Sequence, residues 1–350
     1  MKLSRLALAI ALASPAAFAA NETPRFDEQL KLPEVVVTAS RTAESKGDTY
    51  SAVTVFTRDD IERLQPSTVP DLLRRTPGVQ VMQNGGRGST VGVFVRGTKT
   101  AQTLVLIDGQ RANDTNLGGA PLNTLSVDQI ERVEILRGPR SAIYGSDAIG
   151  GVIQIFTRRA EGPGLSPRVR VAYGSHDTWE QSLGLSGGNN ATRFNLSLNH
   201  EQSNGFSRSS LSTGTDADND GFENSSIALN LNHRFSSQTE AGLNISHTDS
   251  EYEYDGFGWS QFPYDEVKNS FYSAYLSHQL TQLLSTRLEL GYSEGEMHNL
   301  DRAAVTDSFN ETERESLNWT NSLSLSDAQR LQVGLDWYRD HIHNSGRYTE

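Results

Sequence analysis

Two patterns of apolar and polar positions divide the chain. From about residue 168 apolar side chains recur at every second position. The sets are Val169, Val171 and Tyr173; Leu183 and Leu185 after Trp179; Phe194, Leu196 and Leu198; and Ile227, Leu229 and Leu231 with Phe235. They continue with Leu243 and Ile245; Tyr272, Ala274 and Leu276; Leu288, Leu290 and Tyr292; Leu317, Trp319, Leu323 and Leu325; and Leu331, Val333, Leu335 and Trp337. Period two predicts strands with one apolar face, about nine of them here. Gly187-Gly188-Asn189-Asn190, Ser236-Ser237-Gln238 and Ser326-Asp327-Ala328 read as tight turns, and residues 202–225, 249–268 and 294–314 as long polar loops. Short turns at one end and long loops at the other fit a membrane β-barrel. A secreted β-sandwich is the alternative, and it has no reason to gather its long loops at one end.

Residues 50–160 read instead as a compact α/β unit. Val53, Val55 and Phe56 predict a strand, and Thr57-Arg58-Asp59-Asp60 the start of a helix with acids in its first turn. Ser67 can cap a second helix through Asp71 to Arg75, which Pro77-Gly78 ends. Val79 and Val81, then Val91, Val93 and Val95, alternate as strands. Leu104-Val105-Leu106-Ile107 is a buried strand, and Asp108-Gly109 signals a hairpin turn. Ser126 to Ile130 reads as a short helical turn capped by Ser126, and Val133 to Leu136 as a further strand.

Composition narrows the classes. The 350 residues carry 43 acidic and 31 basic side chains, a formal charge of −12, which disfavours a nucleic-acid partner. With no cysteine, disulfide scaffolds, thiolate zinc sites and cysteine nucleophiles are excluded. Ser146 does not stand in a Gly-x-Ser-x-Gly elbow and its adjacency to Asp147 is not triad geometry, so a hydrolase triad of Ser146, Asp147 and His176 is not supported. No His-Glu-x-x-His occurs, and the His341-x-His343 pair is expected at the barrel lumen or at an interface. The chain reads as no enzyme.

Met1 to Arg5 is a short basic region, Leu6 to Leu12 is apolar, and Ala17-Phe18-Ala19 has a small-x-small form. This is a secretory signal peptide, with cleavage expected after Ala19 or Ala20. The organisation expected is a signal peptide over 1–19, a flexible segment over 20–45, the α/β unit over 46–160 and barrel strands over 161–350. An odd number of strands cannot close a bacterial antiparallel barrel, and an open edge in lipid leaves backbone groups unsatisfied. The sequence is therefore expected to be a fragment or a truncated product, with further strands beyond residue 350.

Three stretches resemble one family. Glu34-Val35-Val36-Val37-Thr38-Ala39 is similar to the TonB box of the TonB-dependent outer-membrane receptors. Val93-Phe94-Val95-Arg96-Gly97 with Leu104 to Gly109 resembles the core of their plug. Ile130 to Pro139 followed by Tyr144-Gly145-Ser146-Asp147-Ala148-Ile149-Gly150-Gly151 resembles the end of that plug. The resemblance is strongest to the cobalamin-importing members. It implies an N-terminal α/β plug domain followed by an antiparallel transmembrane β-barrel of about 22 strands, a size at which the lumen is plugged. It also implies an outer-membrane location, cobalamin as transported ligand, and TonB as a periplasmic partner that binds Glu34, Val35, Val36, Val37, Thr38 and Ala39. A β-prone, unpaired segment is what a partner can add to its own sheet edge. Arg96 and Arg132 beside Glu131 and Glu134 suggest ion pairs that serve as brace or switch, with both readings open.

Asp216-Ala217-Asp218-Asn219-Asp220-Gly221 spaces three carboxylates two apart before a glycine, the first half of an EF-hand loop. Its twelfth position is Ile227 rather than Glu, so further oxygen ligands must come from elsewhere. The resemblance implies calcium, two ions in the family, at Asp216, Asp218, Asp220, Tyr254, Asp255 and Asp265. A family aspartate falls near Ser207, a departure that puts one ion in doubt. The ligand contacts it implies are Thr90, Gly92 and Lys99 in one loop, Leu117 and Gly118 in another, Gly256 beside Asp255, and Ser308. Thr90, Gly92 and Lys99 depart from the family's leucine, serine and asparagine. The alternative cargo is a ferric siderophore, haem or another corrinoid, and Lys99 with Arg87 would favour an anionic siderophore.

Overall fold

The computed structural model describes residues 36–37 and 44–45 by their backbone, and 52–116, 118–160, 162–207, 218–255, 262–302, 307–326 and 329–345. The leader expected over 1–19 lies outside the described residues, as does most of 20–45. Strands β1 (Val36–Val37) and β2 (Glu44–Ser45) form a small antiparallel pair.

The α/β unit follows. It contains β3 (Ala52–Phe56), α1 (Arg58–Leu64), α2 (Val69–Leu73), β4 (Val79–Gln83), β5 (Val91–Val95), β6 (Thr103–Ile107), β7 (Gln110–Arg111), β8 (Ile130–Arg137), α3 (Ser141–Tyr144) and β9 (Gly151–Thr157). Helix α1 starts where expected. The Thr57 hydroxyl accepts from the Asp60 amide, and the Asp60 carboxylate accepts from the Thr57 amide, which satisfies two donors at the helix start. Helix α2 is capped by Thr68, whose Oγ1 accepts from the Asp71 amide at 3.2 Å, rather than by the expected Ser67. Thr68 is the last extended residue before the helix, and only from there does a hydroxyl reach the third helical amide. Ser126 caps a 3-10 turn over Val127–Gln129, as expected.

Five strands form a mixed sheet in the order β3-β8-β9-β6-β7, and β4 with β5 form a separate hairpin. Apolar clusters cover both faces of the sheet. One holds Ile61, Leu72, Val93, Ile107, Ile135 and Ile153; the other holds Val55, Leu104, Leu136 and Val152. A strand buried on both faces shows no alternation. Strand β9, buried at all seven positions, lies between β8 and β6, yet nothing in its pattern announced it. Asp108 and Gly109, at φ +47° and +90°, make the two-residue turn between β6 and β7, the conformation that Asp-Gly favours.

Nine antiparallel strands then form one meander, the wall. They are β10 (Gly164–Gly174), β11 (Thr178–Gly188), β12 (Thr192–Phe206), β13 (Asp220–Arg234), β14 (Thr239–Glu253), β15 (Pro263–Gln279), β16 (Leu284–Asp301), β17 (Asp307–Ser326) and β18 (Gln329–Asn344). Strands β10 and β18 each have one neighbour, so the described sheet is open. Both run in the same direction, as the first and ninth strands of a meander must.

The wall inverts the burial of a water-soluble sheet. Leu165, Val169, Leu183, Leu276, Leu290, Val333 and Leu335 are exposed on one face. Asn195, Ser197, Asn224, Ser226, Asn230, Asn244, Ser250 and Ser273 are buried on the other. Apolar outside and polar inside is the arrangement of a strand wall in lipid.

The long polar loops expected at 202–225, 249–268 and 294–314 fall on the expected connections, but their bounds are too wide. Pairing continues into both ends of each stretch, and the connections shorten to 207–219, 254–262 and 302–306. The apolar pattern stops where lipid stops, whereas the backbone ladder continues into water. Beyond the apolar band the outward positions become acidic, with Glu223 opposite Glu251, Glu251 opposite Glu266, Glu294 opposite Glu313 and Glu296 opposite Glu311. His341 and His343 share this outward face, opposite Glu313 and Glu311.

The α/β unit sits against the wall's inner face. Asn224 Nδ2 donates to the Thr124 carbonyl at 2.9 Å, and Asn230 Nδ2 to Thr157 Oγ1 at 2.8 Å. Gln110, at the tip of the β6–β7 hairpin, donates to Glu289 Oε1 at 3.0 Å and accepts from Ser316 at 2.9 Å.

Candidate ligand cup and cation loops

At the long-loop end the α/β unit and the wall enclose a cavity of about 330 Å³. Its floor is the β4–β5 hairpin, through Met82, Asn84, Thr90, Gly92 and Phe94, and the segment 112–121. Its side is formed by β14 to β17, through Tyr252, Asn269, Phe271, Ser293, Met297, Asn310, Thr312 and Arg314. Apolar and aromatic side chains stand there with amides and hydroxyls, and charges of both signs, among them Arg111, Asp114 and Arg314, border the same space. Such a mixed lining suits a large amphipathic ligand.

Of the expected ligand residues, Thr90 and Gly92 line this cup. Lys99 is exposed and outside it, on the flank of a 3-10 turn whose first residue, Thr100, does line it. Gly118, at φ +70°, lies against Ala101; a Cβ there would stand 2.6 Å from the Ala101 Cβ. Its neighbour Gly119 lines the cup. Ser308 is on β17 and donates to Asn299 Oδ1 at 3.1 Å. Leu117 and Gly256 lie outside the described residues. Arg87 is not free to meet an anion in the cup. It is held by Glu180 at 3.0 Å and by Glu201, on β11 and β12. Glu180 in turn binds Arg170 at 2.7 Å, and Arg170 reaches Asp128 of the α/β unit at 2.9 Å.

The expected cation residues divide. Asp216 lies outside the described residues, Asp218 is exposed, and Asp220 and Asp265 are buried at the loop-side ends of β13 and β15. Among the described residues no three His, Asp or Glu side chains gather into a group that could hold a metal. Asp265 is engaged by protein donors. Tyr252, Tyr254 and Asn299 all donate to its carboxylate, Asn299 at 2.6 Å. These groups stand beyond the outward apolar band, which ends on β14 at Ile245 and on β15 at Tyr272. Burial pushes the Asp265 carboxyl up, against the pull of its three hydrogen bonds. Burial, with the Asp265 charge beside them, pushes the Tyr252 and Tyr254 phenols well up, so both remain donors.

These residues share one rung of the wall. Phe222 pairs with Tyr252, Tyr252 with Asp265, Asp265 with Asn299 and Asn299 with Ser308. Sequence reasoning missed Tyr252 and Asn299. The register of the β14–β15 hairpin carries that signal, and it is readable only once pairing is known to run on through the polar stretch.

Elsewhere, Val36 and Val37 pair with Ser45 and Glu44, while Glu34, Val35, Thr38 and Ala39 lie outside the described residues. In the α/β unit Arg132 binds the fully buried Glu134 at 2.9 Å and lies over the Phe156 ring at 3.7 Å. Asp147 is taken up by Arg111 at 2.7 Å.

Comparison with known proteins agrees with this architecture. The family model for the TonB-dependent receptor plug domain matches residues 45–152. The chain is 33% identical to the vitamin B12 transporter BtuB of Photobacterium profundum, over 100% of this chain and 56% of that protein. It is 32% identical to the vitamin B12 transporter BtuB of Vibrio cholerae, over 96% of this chain and 55% of that protein. The chain thus spans about half the length of the curated relatives it matches. Among solved structures, the ferripyoverdine receptor of the Pseudomonas aeruginosa outer membrane aligns with a TM-score of 0.74 at 17% identity, over 89% of this chain and 45% of that one. The siderophore receptor PirA of Acinetobacter baumannii aligns with a TM-score of 0.69 at 22% identity, over 83% and 48%. With an α/β unit that matches the plug, set against an inverted wall that aligns with outer-membrane receptors, the chain belongs to the TonB-dependent receptors of the outer membrane.

Proposed function

We propose that the protein imports cobalamin across the outer membrane, coupled to TonB. The observation that carries this reading is the 33% identity to a vitamin B12 transporter along the whole chain. The cup is consistent with it, because a corrin presents apolar faces and amide side chains. Thr90 and Gly92 meet the ligand from the plug, with Lys99, Leu117 and Gly118 in the adjoining loops and Gly256 and Ser308 on the barrel side. Binding favours one arrangement of the plug over another, and that differential affinity biases the segment 34–39 toward TonB.

Calcium belongs to the same reading. Asp216, Asp218, Asp220, Tyr254 and Asp255 offer hard oxygen donors, and Asp265 retains about one acceptor site beyond its three hydrogen bonds. A bound cation would offset the repulsion among these loop carboxylates.

The test is a cobalamin titration of the intact receptor by tryptophan quenching, with and without a calcium chelator. Saturable binding that weakens on chelation supports cargo and cation together. No binding at micromolar cobalamin with calcium present rejects the cargo. A second reading keeps the architecture and exchanges the cargo for a ferric siderophore, haem or another corrinoid. The exposed Lys99 beside the cup favours an anionic ligand, although Arg87 is already paired. Competition by siderophores in the same titration separates the two.

A further inference from the structure

We propose that Tyr252 is a positioning residue that latches the plug's apical loop to the barrel wall, with Asp265 as the hub that holds it. The proposal rests on reading the cup as the ligand site, and its main test needs no ligand. The Tyr252 phenol makes two hydrogen bonds. It donates to Asp265, and it accepts from the Thr90 hydroxyl of the plug. The plug loop meets the same rung at a second point, two residues earlier. Gly88, at φ +77°, lies so close that a Cβ there would stand 2.4 Å from Phe222 Cδ2 and 2.7 Å from the Tyr252 Cβ. The Asn123 amide donates to the Gly88 carbonyl and braces the loop from its other side. Residues 88–90 are thereby fixed between the plug's own second loop and the wall.

Asp265 makes the latch stiff. Only 4% of it is exposed, and its partners Tyr252 and Tyr254 at the end of β14 and Asn299 on β16 are neutral donors from either side of β15, with Ser308 extending the chain to β17. A buried carboxylate loses much when deprived of a donor, so each of its donors is held in one orientation. The rung therefore passes a fixed wall geometry to Thr90, which lines the cup.

The chain has no cysteine, so an Asn84→Cys variant of the intact receptor takes a single spin label at the exposed tip of the β4–β5 hairpin. Without ligand, Tyr252→Phe and Thr90→Val should each mobilise the label, shifting the ordered-to-mobile ratio by about 10-fold for the lost hydrogen bonds. The double variant should add little to either single one, and Thr90→Ser, which keeps the hydroxyl, should restore the ordered spectrum. An unmoved label in both single variants, or additive effects in the double, overturns the latch. Thr90 is exposed, so Thr90→Val keeps the test open if Tyr252→Phe folds poorly. Cobalamin affinity should fall by about the same 10-fold in each single variant, through loss of a preformed cup. A parent receptor that binds no cobalamin removes the cargo and leaves the label result to judge the latch.

Discussion

At Gly291 on β16 the plug fits closely into the wall, and Gly291→Ala tests that fit. A Cβ there would stand 1.7 Å from Gln110 Oε1, 2.3 Å from its Cδ and 2.6 Å from Ser316 Oγ. Gln110 is 5% exposed and has to swing away, which breaks its bonds to Glu289 and Ser316. Glu289 retains Arg287 at 3.1 Å, so no charge is left alone. Two lost hydrogen bonds, one of them to a carboxylate, cost about 2–3 kcal/mol. Against that stands a gain of about 0.5–1 kcal/mol that Gly→Ala ordinarily brings inside a strand. The net loss of about 2 kcal/mol corresponds to roughly 30-fold easier opening of the β6–β7 hairpin. Hydrogen exchange at amides 105–112 of the intact receptor reads this opening directly. Gly295→Ala is the control, because its nearest neighbour, Thr312 Oγ1, is 3.2 Å away and needs to give only slightly. Adding Gln110→Ala to Gly291→Ala should remove the collision. Unchanged or slower exchange in Gly291→Ala would refute the reasoning, since the default effect of alanine has the opposite sign.

Other variants probe separate contacts. Arg87→Ala should loosen the loop 84–90 by about 1–2 kcal/mol, because Glu201 loses its guanidinium while Glu180 keeps Arg170; a double-mutant cycle with Glu201→Gln should show the coupling, and an additive cycle would deny it. Leu72→Ala, at 0% exposure in the plug core, should cost about 2–5 kcal/mol and appear as faster proteolysis within the plug while the wall stays intact. Glu294→Gln should stabilise the wall by a few tenths of a kcal/mol, roughly the cost of like charges directly opposite across strands, and the gain should vanish in high salt.

The strand count of the wall was legible because lipid imposes period two on the sequence. The ends of those strands were not legible, because Asp249 to Glu253 and Tyr264 to Lys268 pair in water without an apolar signal. The start of α1 and the Asp108-Gly109 turn announced themselves through local chemistry, a capping pair and a left-handed dipeptide. Strand β9 did not, since a strand covered on both faces looks like any short apolar run. Thr90 and Gly92 were singled out by resemblance, and both line the cup. Tyr252 and Asn299 were overlooked because their role depends on which residues face each other across hairpins, a property of register rather than of residue type.

The inverted burial of the wall has a consequence for assembly. The plug carries an aliphatic core on both faces of its sheet and can collapse in water. The wall buries serine, asparagine and threonine and displays leucine, valine and tryptophan, so in water its nine strands gain little by coming together. One polypeptide thus matures in two solvents. The plug is able to take shape in the aqueous phase, whereas the wall needs an apolar surround, and the polar rungs that grip the plug come into register only once these nine strands have paired.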